Sequence, residues 1–209
     1  MQKLQKSDEN EMVYQFLRAE RDSPRHAEEF QLAFESLREL GMDISYIEQI
    51  LSNGNITSEQ ENEIRRRILG VKRGFKKNRG LFENFPENAE WTYAVFGPED
   101  LPKIFYLNFP DWNERTNNTG RPTDFATVLL QDKAENMREF RQIAKNIKNA
   151  PPMIFVTDEN ESRFTILEGH HRMTAYALAP ETFENIRVLL GICAGAELKK
   201  WPFGNFGRK

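Results

Sequence analysis

Two of the three histidines in this 209-residue sequence are neighbours, His170 and His171, in the stretch "LEGHHRMTAYALAP" from Leu167 to Pro180. Gly169 precedes them and Arg172 follows. A glycine between an extended segment and a helix lets the backbone turn sharply and approach a ligand closely. The first N–H groups of the helix have no intrahelical acceptor, and the helix dipole adds positive potential, so an anion is favoured there. Arg172 adds a forked pair of donors that fits a phosphate. The histidines can also donate, and a nearby phosphate favours their charged forms. The expected site is a phosphate cradle of Gly169, His170, His171 and Arg172. One histidine is expected to face the ligand and the other to pack against a sheet.

Phosphoryl chemistry also needs a base, and usually a magnesium ion held by carboxylates and phosphates. Glu168 is the nearest carboxylate, so Glu168, His170 and His171 are the catalytic candidates. The polar stretch "FPDWNERTNNTGRPTDF" offers Asp111, Glu114 and Asp124 as base or magnesium ligands, and Arg121 as a second phosphate contact. The plainer reading of Asp111, Glu114 and Asp124 is that each is an ordinary exposed loop residue. The histidine pair matches neither a paired Cys-x-x-Cys nor a His-Glu-x-x-His pattern, so no dedicated transition-metal site is expected. Cys193, in the apolar run "VLLGIC", reads as core rather than nucleophile.

A second chemistry is written between residues 65 and 79, "RRRILGVKRGFKKNR", which holds eight lysines or arginines and no acid. Arg65, Arg66, Arg67, Lys72 and Arg73 could grip nucleic-acid phosphates, with the histidine pair as acid and base in a cleaving protein. The plainer reading is a solvated helix end, where cations are favoured without any ligand.

These residues must be positioned by two different textures. Residues 1–80 read as a helical N-terminal region. "SPRHAEEFQLAFESLRELG" places Phe30, Ala33, Phe34, Leu37 and Leu40 on one stripe, with Pro24 in the first turn and Gly41 as the stop. "MDISYIEQILSNGN" puts Ile44, Ile47, Ile50 and Leu51 on one face, and "TSEQENEIRRRILGVKRGF" starts with Thr57 as cap and Gln60 in a capping box. These three short helices form a small bundle. Residues 81–209 change to strand and loop. Glu90–Phe96 and Leu101–Asn108 read as strands. A helix starts near Thr123 or Asp124 and continues, with a break, through Met137, Phe140, Ile143, Ala144 and Ile147. Met153–Thr157 and Arg163–Leu167 form a hairpin, a helix follows Gly169 to about Leu178, and Asn185–Cys193 is a buried strand. The fold class is α+β, with a helical bundle followed by a mixed-sheet domain.

With 39% hydrophobic and 29% charged residues, the composition is that of an ordinary globular protein. The net charge of −3 supplies no overall basic field. One cysteine excludes an internal disulfide, and no signal-like or membrane-spanning apolar run appears, so a cytoplasmic protein without a membrane partner is expected.

The segment "MIFVTDENESRFTILEGHHRMTAYALAP…NIRVLLGIC" resembles the C-terminal half of the ParB/sulfiredoxin superfamily. Its members carry a strand, a glycine followed by two residues and an arginine, then a helix and a closing strand. The resemblance implies a ParB/sulfiredoxin-like mixed-sheet domain whose helix N-terminus holds nucleotide phosphates at Gly169, His170, His171 and Arg172. Members include chromosome-partitioning CTP hydrolases, sulfinic-acid reductases that use ATP, and small-molecule kinases. His170 stands where sulfiredoxins place cysteine, and His-His-Arg replaces the Glu-Arg-Arg of partitioning proteins. The small-molecule kinase, or a related nucleotide hydrolase taking ATP, ADP or CTP with Mg2+, fits the surviving parts best. A nucleic-acid-binding or cleaving protein ranks second, and a regulatory module that keeps the cradle without chemistry ranks third.

Overall fold

A computed structural model of the chain describes residues 1–132 and 137–207, and it resolves two units, residues 8–85 and residues 1–7 with 86–209. Among the described residues no helix is long and apolar enough to cross a membrane.

The helical unit has four helices. Helix α1 (Glu9–Arg21) is capped by Asp8, whose carboxylate accepts from the Glu11 amide at 2.9 Å, and it buries Met12, Val13, Phe16 and Leu17. This helix is additional to the three expected. Its apolar residues recur at helical spacing, yet they lie among charged and amide residues that dilute the pattern. Helix α2 (Ala27–Glu39) follows a 3-10 turn at Pro24–His26, and Gly41 beyond it adopts φ +84°. Helix α3 (Ile44–Ser52) is capped by Asp43 and buries Ile47, Ile50 and Leu51. Helix α4 (Glu59–Arg73) is capped by Ser58, one residue later than expected. Thr57 instead gives its hydroxyl and amide to the Asn55 side chain, which closes the preceding turn.

Two of the basic residues lie inside this unit. The Arg65 side chain is fully buried and donates to the carbonyls of Ile50 and Asn55 and to the side chains of Asn53, Asn62 and Glu61. It ties the α3–α4 turn to α4, because every buried donor of a guanidinium must find an acceptor. The Lys72 ammonium is buried 3.7 Å from the Phe30 ring centroid and 3.2 Å from Glu29. Arg73 bridges Glu20 at 2.6 Å and Glu29 at 3.0 Å, and its Nη2 lies 2.8 Å from His26 Nδ1. Glu20, His26 and Glu29 offer ligand atoms within 4.8 Å of one another, a spacing that could hold a metal ion. Arg73 and Lys72 already neutralise those carboxylates, so the cluster is an ion-pair clamp joining α1, α2 and α4.

The second unit is α+β, with a mixed sheet of six strands in the order β1-β2-β6-β4-β5-β3. They are β1 (Gln2–Lys6), β2 (Glu90–Phe96), β3 (Ile104–Phe105), β4 (Met153–Asp158), β5 (Phe164–Glu168) and β6 (Ile186–Cys193). The β4/β6 and β3/β5 pairs are parallel and the others antiparallel. One face packs Phe96, Phe155, Phe164, Ile166, Val188 and Leu190 against α6 (Pro122–Asp132), α7 (Met137–Asn146) and α8 (His170–Leu178), which contribute Phe125, Leu129, Phe140, Met173 and Tyr176. The expected break between α6 and α7 falls at residues 133–136, outside the described residues. Two short helices, α5 (Pro110–Arg115) and α9 (Gly195–Leu198), complete the unit.

Three expectations need correction. Residues 2–6 form a strand rather than part of the helical region. All five are exposed, and pairing with β2, as in Lys3 opposite Ala94, supplies what their own pattern lacks. The strand expected over residues 101–108 shrinks to Ile104–Phe105, because Pro98–Lys103 coils into 3-10 turns and the Tyr106 amide leaves the sheet to bond Gly120 O at 2.8 Å. The stretch expected to be a polar loop contains α5.

Arg65→Met should destabilise the protein by about 3–5 kcal/mol in urea unfolding, since it orphans buried acceptors, whereas Arg67→Ala should change it by less than about 0.5 kcal/mol. His26 is held below its ordinary value by burial first, then by Arg73 and Lys72, against the opposing pull of Glu20 and Glu29. A depressed histidine favours the folded state only while neutral, so its contribution is present above about pH 6.5 and is lost as pH falls. Glu29 is also held low: burial opposes this, and Arg73, Lys72 and His26 outweigh it, so its contribution is lost at still lower pH. Urea midpoints measured between pH 8 and pH 5 should fall, and His26→Gln should flatten that slope.

Candidate functional site

The hairpin of β4 and β5 fixes the corner from which α8 springs. Phe155 pairs with Ile166 and Val156 with Thr165, and the ladder then shifts register so that Ile154 faces Glu168. Gly169 follows with φ +109° and ψ 18°, in the left-handed region that disfavours other residues. A Cβ added there would lie 2.6 Å from Met153 Cγ, so the position has neither the torsion nor the space for a side chain. The Gly169 carbonyl accepts from the Met173 amide at 2.8 Å, which closes the first turn of α8.

Arg172 sits on that turn with its acceptors already chosen. One Nη donates to the Glu168 carboxylate and the other to the Pro151 carbonyl. The two side chains of the ion pair are only 12% and 15% exposed, so the pair is well covered. Sequence reasoning placed Arg172 open toward a ligand; the structure closes it on Glu168. The i,i+4 spacing across the Gly169 turn brings carboxylate and guanidinium together.

Both histidine rings meet one indole. The His170 ring lies parallel to Trp112 at 5.4 Å, while His171 meets Trp112 edge-on at 5.7 Å and lies 5.6 Å from Phe140. His170 Nε2 accepts from the Leu107 amide at 3.4 Å. Beneath these rings the Tyr106 hydroxyl meets Thr174 Oγ1 at 2.6 Å, and Thr174 donates to the His170 carbonyl at 3.0 Å. Burial pushes the Tyr106 phenol far above its ordinary value, with Thr174 and Arg115 opposing only partly, so it stays protonated and serves as a fixed hydrogen-bonding post.

The loop candidates are dispersed. Asp111 and Glu114 lie on α5, exposed, on either side of Trp112 in sequence. Asp124 is half-buried in α6, where its Oδ1 accepts from Thr123 Oγ1 at 3.5 Å. Arg121 is exposed, with its guanidinium 5.4 Å from the Phe105 ring. Among the described residues these carboxylates and Glu168 do not gather into a group that could hold a metal ion. Cys193 is core: it is buried, and its thiol is pushed up to about 12 by that burial.

The nucleic-acid candidates are largely committed. Arg65 and Lys72 are buried and cannot reach a phosphate, which corrects the expectation for both. Arg73 is held by Glu20 and Glu29, and Arg66 by Glu59, Glu63 and Asn10. Arg67 is half-exposed and pairs with Glu63 at 3.0 Å. The acids that neutralise this block come from other turns of α4 and from α1 and α2, so the local run of cations gave no sign of them.

Sequence reasoning missed Tyr106, Trp112, Phe125, Phe140 and Thr174, which form the wall and floor of the corner. The available signal was Trp112 itself, a large aromatic in an otherwise polar stretch. No protein-family model, curated protein or solved structure matches this chain.

Gly169→Ala should lower stability by about 1–3 kcal/mol, and adding Met153→Ala, itself a truncation of a buried core residue, should lower it further rather than restore it. Thermal melts of the two variants check this; an unchanged melting temperature in Gly169→Ala would contradict the strained corner.

Proposed function

We propose that the protein binds a nucleoside di- or triphosphate, ATP, ADP or CTP with Mg2+, at the start of α8 and transfers or hydrolyses a phosphoryl group. The observation that carries this reading is the arginine in the first turn of a helix sprung from an obligatory glycine, partnered by one carboxylate and one carbonyl. The order of strand, glycine, helix and closing strand behind the resemblance to the ParB/sulfiredoxin superfamily runs from β5 to β6 and supports the same reading.

The closed pair gives the mechanism its form. An incoming phosphate competes with Glu168 for Arg172, and the α8 dipole favours the phosphate, which carries more charge than a carboxylate. Glu168 is then released at the site of chemistry. There it can take the proton of the attacking water or acceptor hydroxyl as the new P–O bond forms and the bridging oxygen of the nucleotide leaves with its electron pair. His170, whose Nε2 faces the Leu107 amide, helps to position the turn. The magnesium ion, when bound, neutralises the phosphate charge.

Nucleotide with Mg2+ at a hundred times its Kd should raise the melting temperature by about 5–10 °C. Arg172→Ala should abolish the shift. Glu168→Gln should preserve or enlarge it, because the competing carboxylate is gone, while abolishing release of phosphate. Folded protein that shows no shift with any nucleotide, or a Glu168→Gln variant that loses binding as Arg172→Ala does, would overturn the proposal. Binding without turnover in the unaltered protein would instead make the site regulatory.

A further inference from the structure

Trp112 is a large aromatic on a six-residue helix, α5, that has no fully buried residue. Its indole lies parallel to Tyr106, 4.2 Å between centroids at 16°, and to His170, 5.4 Å at 17°. Tyr106 and His170 are themselves parallel, 5.9 Å apart at 13°. Rings on opposite faces of the indole would be separated by two stacking gaps, about 7 Å in all. The shorter 5.9 Å spacing therefore puts Tyr106 and His170 side by side on one face of the indole. Phe125 and His171 approach the same indole steeply inclined, at 6.1 and 5.7 Å. The indole is thus held on one face and at its rim, and it is partly buried rather than fully enclosed. The Arg115 guanidinium, on an exposed side chain, lies 5.3 Å from the indole and 5.7 Å from Phe125.

We propose that the face of Trp112 turned away from Tyr106 and His170 is the stacking platform for the base of the bound nucleotide, with Arg115 closing against it. This rests on the proposed nucleotide site and adds to it the part of the ligand that makes it a nucleotide rather than a polyphosphate. Two observations select this occupant. The platform rests directly on the rings of His170 and His171, so it adjoins the turn that would hold the phosphates. It is also a preordered flat ring beside an exposed guanidinium, which suits a planar ligand: every base has a π-face, and arginine adds a cation–π contribution. Such a platform requires a base without reading which one, since stacking on a π-face is tolerant of base identity.

The test compares Mg–ATP with Mg–tripolyphosphate by calorimetry on the full chain and on Trp112→Leu and Trp112→Phe. Stacking of one base is worth roughly five- to hundredfold in affinity. The unaltered protein should prefer ATP by that factor. Trp112→Leu should bring ATP down to the tripolyphosphate level and leave tripolyphosphate unchanged, and Trp112→Phe should keep part of the preference. Equal affinity for the two ligands in the unaltered protein would overturn the platform and leave the phosphate site standing. A Trp112→Leu variant that weakens both ligands alike would do the same, assigning the indole a purely structural part. Binding of neither ligand would overturn the proposed function and the platform together.

Discussion

The ion pair between Glu168 and Arg172 governs the corner at which β5 becomes α8. A guanidinium that is nearly nine-tenths covered must have its charge answered. The chain answers it locally, with the last residue of the strand. That is feasible only because Gly169 reverses the backbone in a left-handed conformation, against Met153, and brings positions 168 and 172 onto the same side of the turn. The carbonyl of Pro151, at the entry to β4, takes the remaining donor, so the hairpin and the helix are locked through one side chain. The aromatic wall follows from the same turn, since it sets where His170 and His171 emerge and hence where Trp112 can rest.

The helical unit answers charge in the opposite spirit. Arg65 and Lys72 are buried deeper than Arg172, but each has several partners, from Ile50 to Asn62 for the one and Glu20 and Glu29 from other helices for the other. An incoming anion would have to displace several acceptors at once to claim either side chain. Among the described residues Arg172 has only one carboxylate and one carbonyl as acceptors, and that difference is why the candidate chemistry is assigned to α8 and not to the more basic α4.

Much of the fold was legible. Strand β2 and helix α8 coincide with the expected spans, and α2, α3, β4, β5 and β6 agree within a few residues, because each carries its own periodicity and its own stop. Strand β1 was not legible, since five exposed residues become a strand only by pairing with β2. The brevity of β3 was hidden in the same way, as it is set by the Tyr106 amide turning to Gly120. In the site, the residue types around Gly169 pointed to the corner, but not to its closed state. That Arg172 and Glu168 would pair was implicit in the four-residue spacing. That Trp112 would roof the histidines depends on tertiary contacts between α5 and α8, which no local pattern records. The block at 65–79 misled for the complementary reason: charge was visible along the chain, and burial was not.

The central claim is that a phosphate takes Arg172 from Glu168. The most direct measurement is side-chain NMR of protein carrying 13C-labelled glutamate and 15N-labelled arginine, following the Glu168 carboxyl carbon and the Arg172 Nε–H while Mg–ATP is added. Both resonances should move together to new positions, the carboxyl toward that of a solvated glutamate and the guanidinium toward that of a phosphate-bound arginine. If both stay where they are in the ligand-free protein at saturating nucleotide, the corner is a structural lock and the account is wrong.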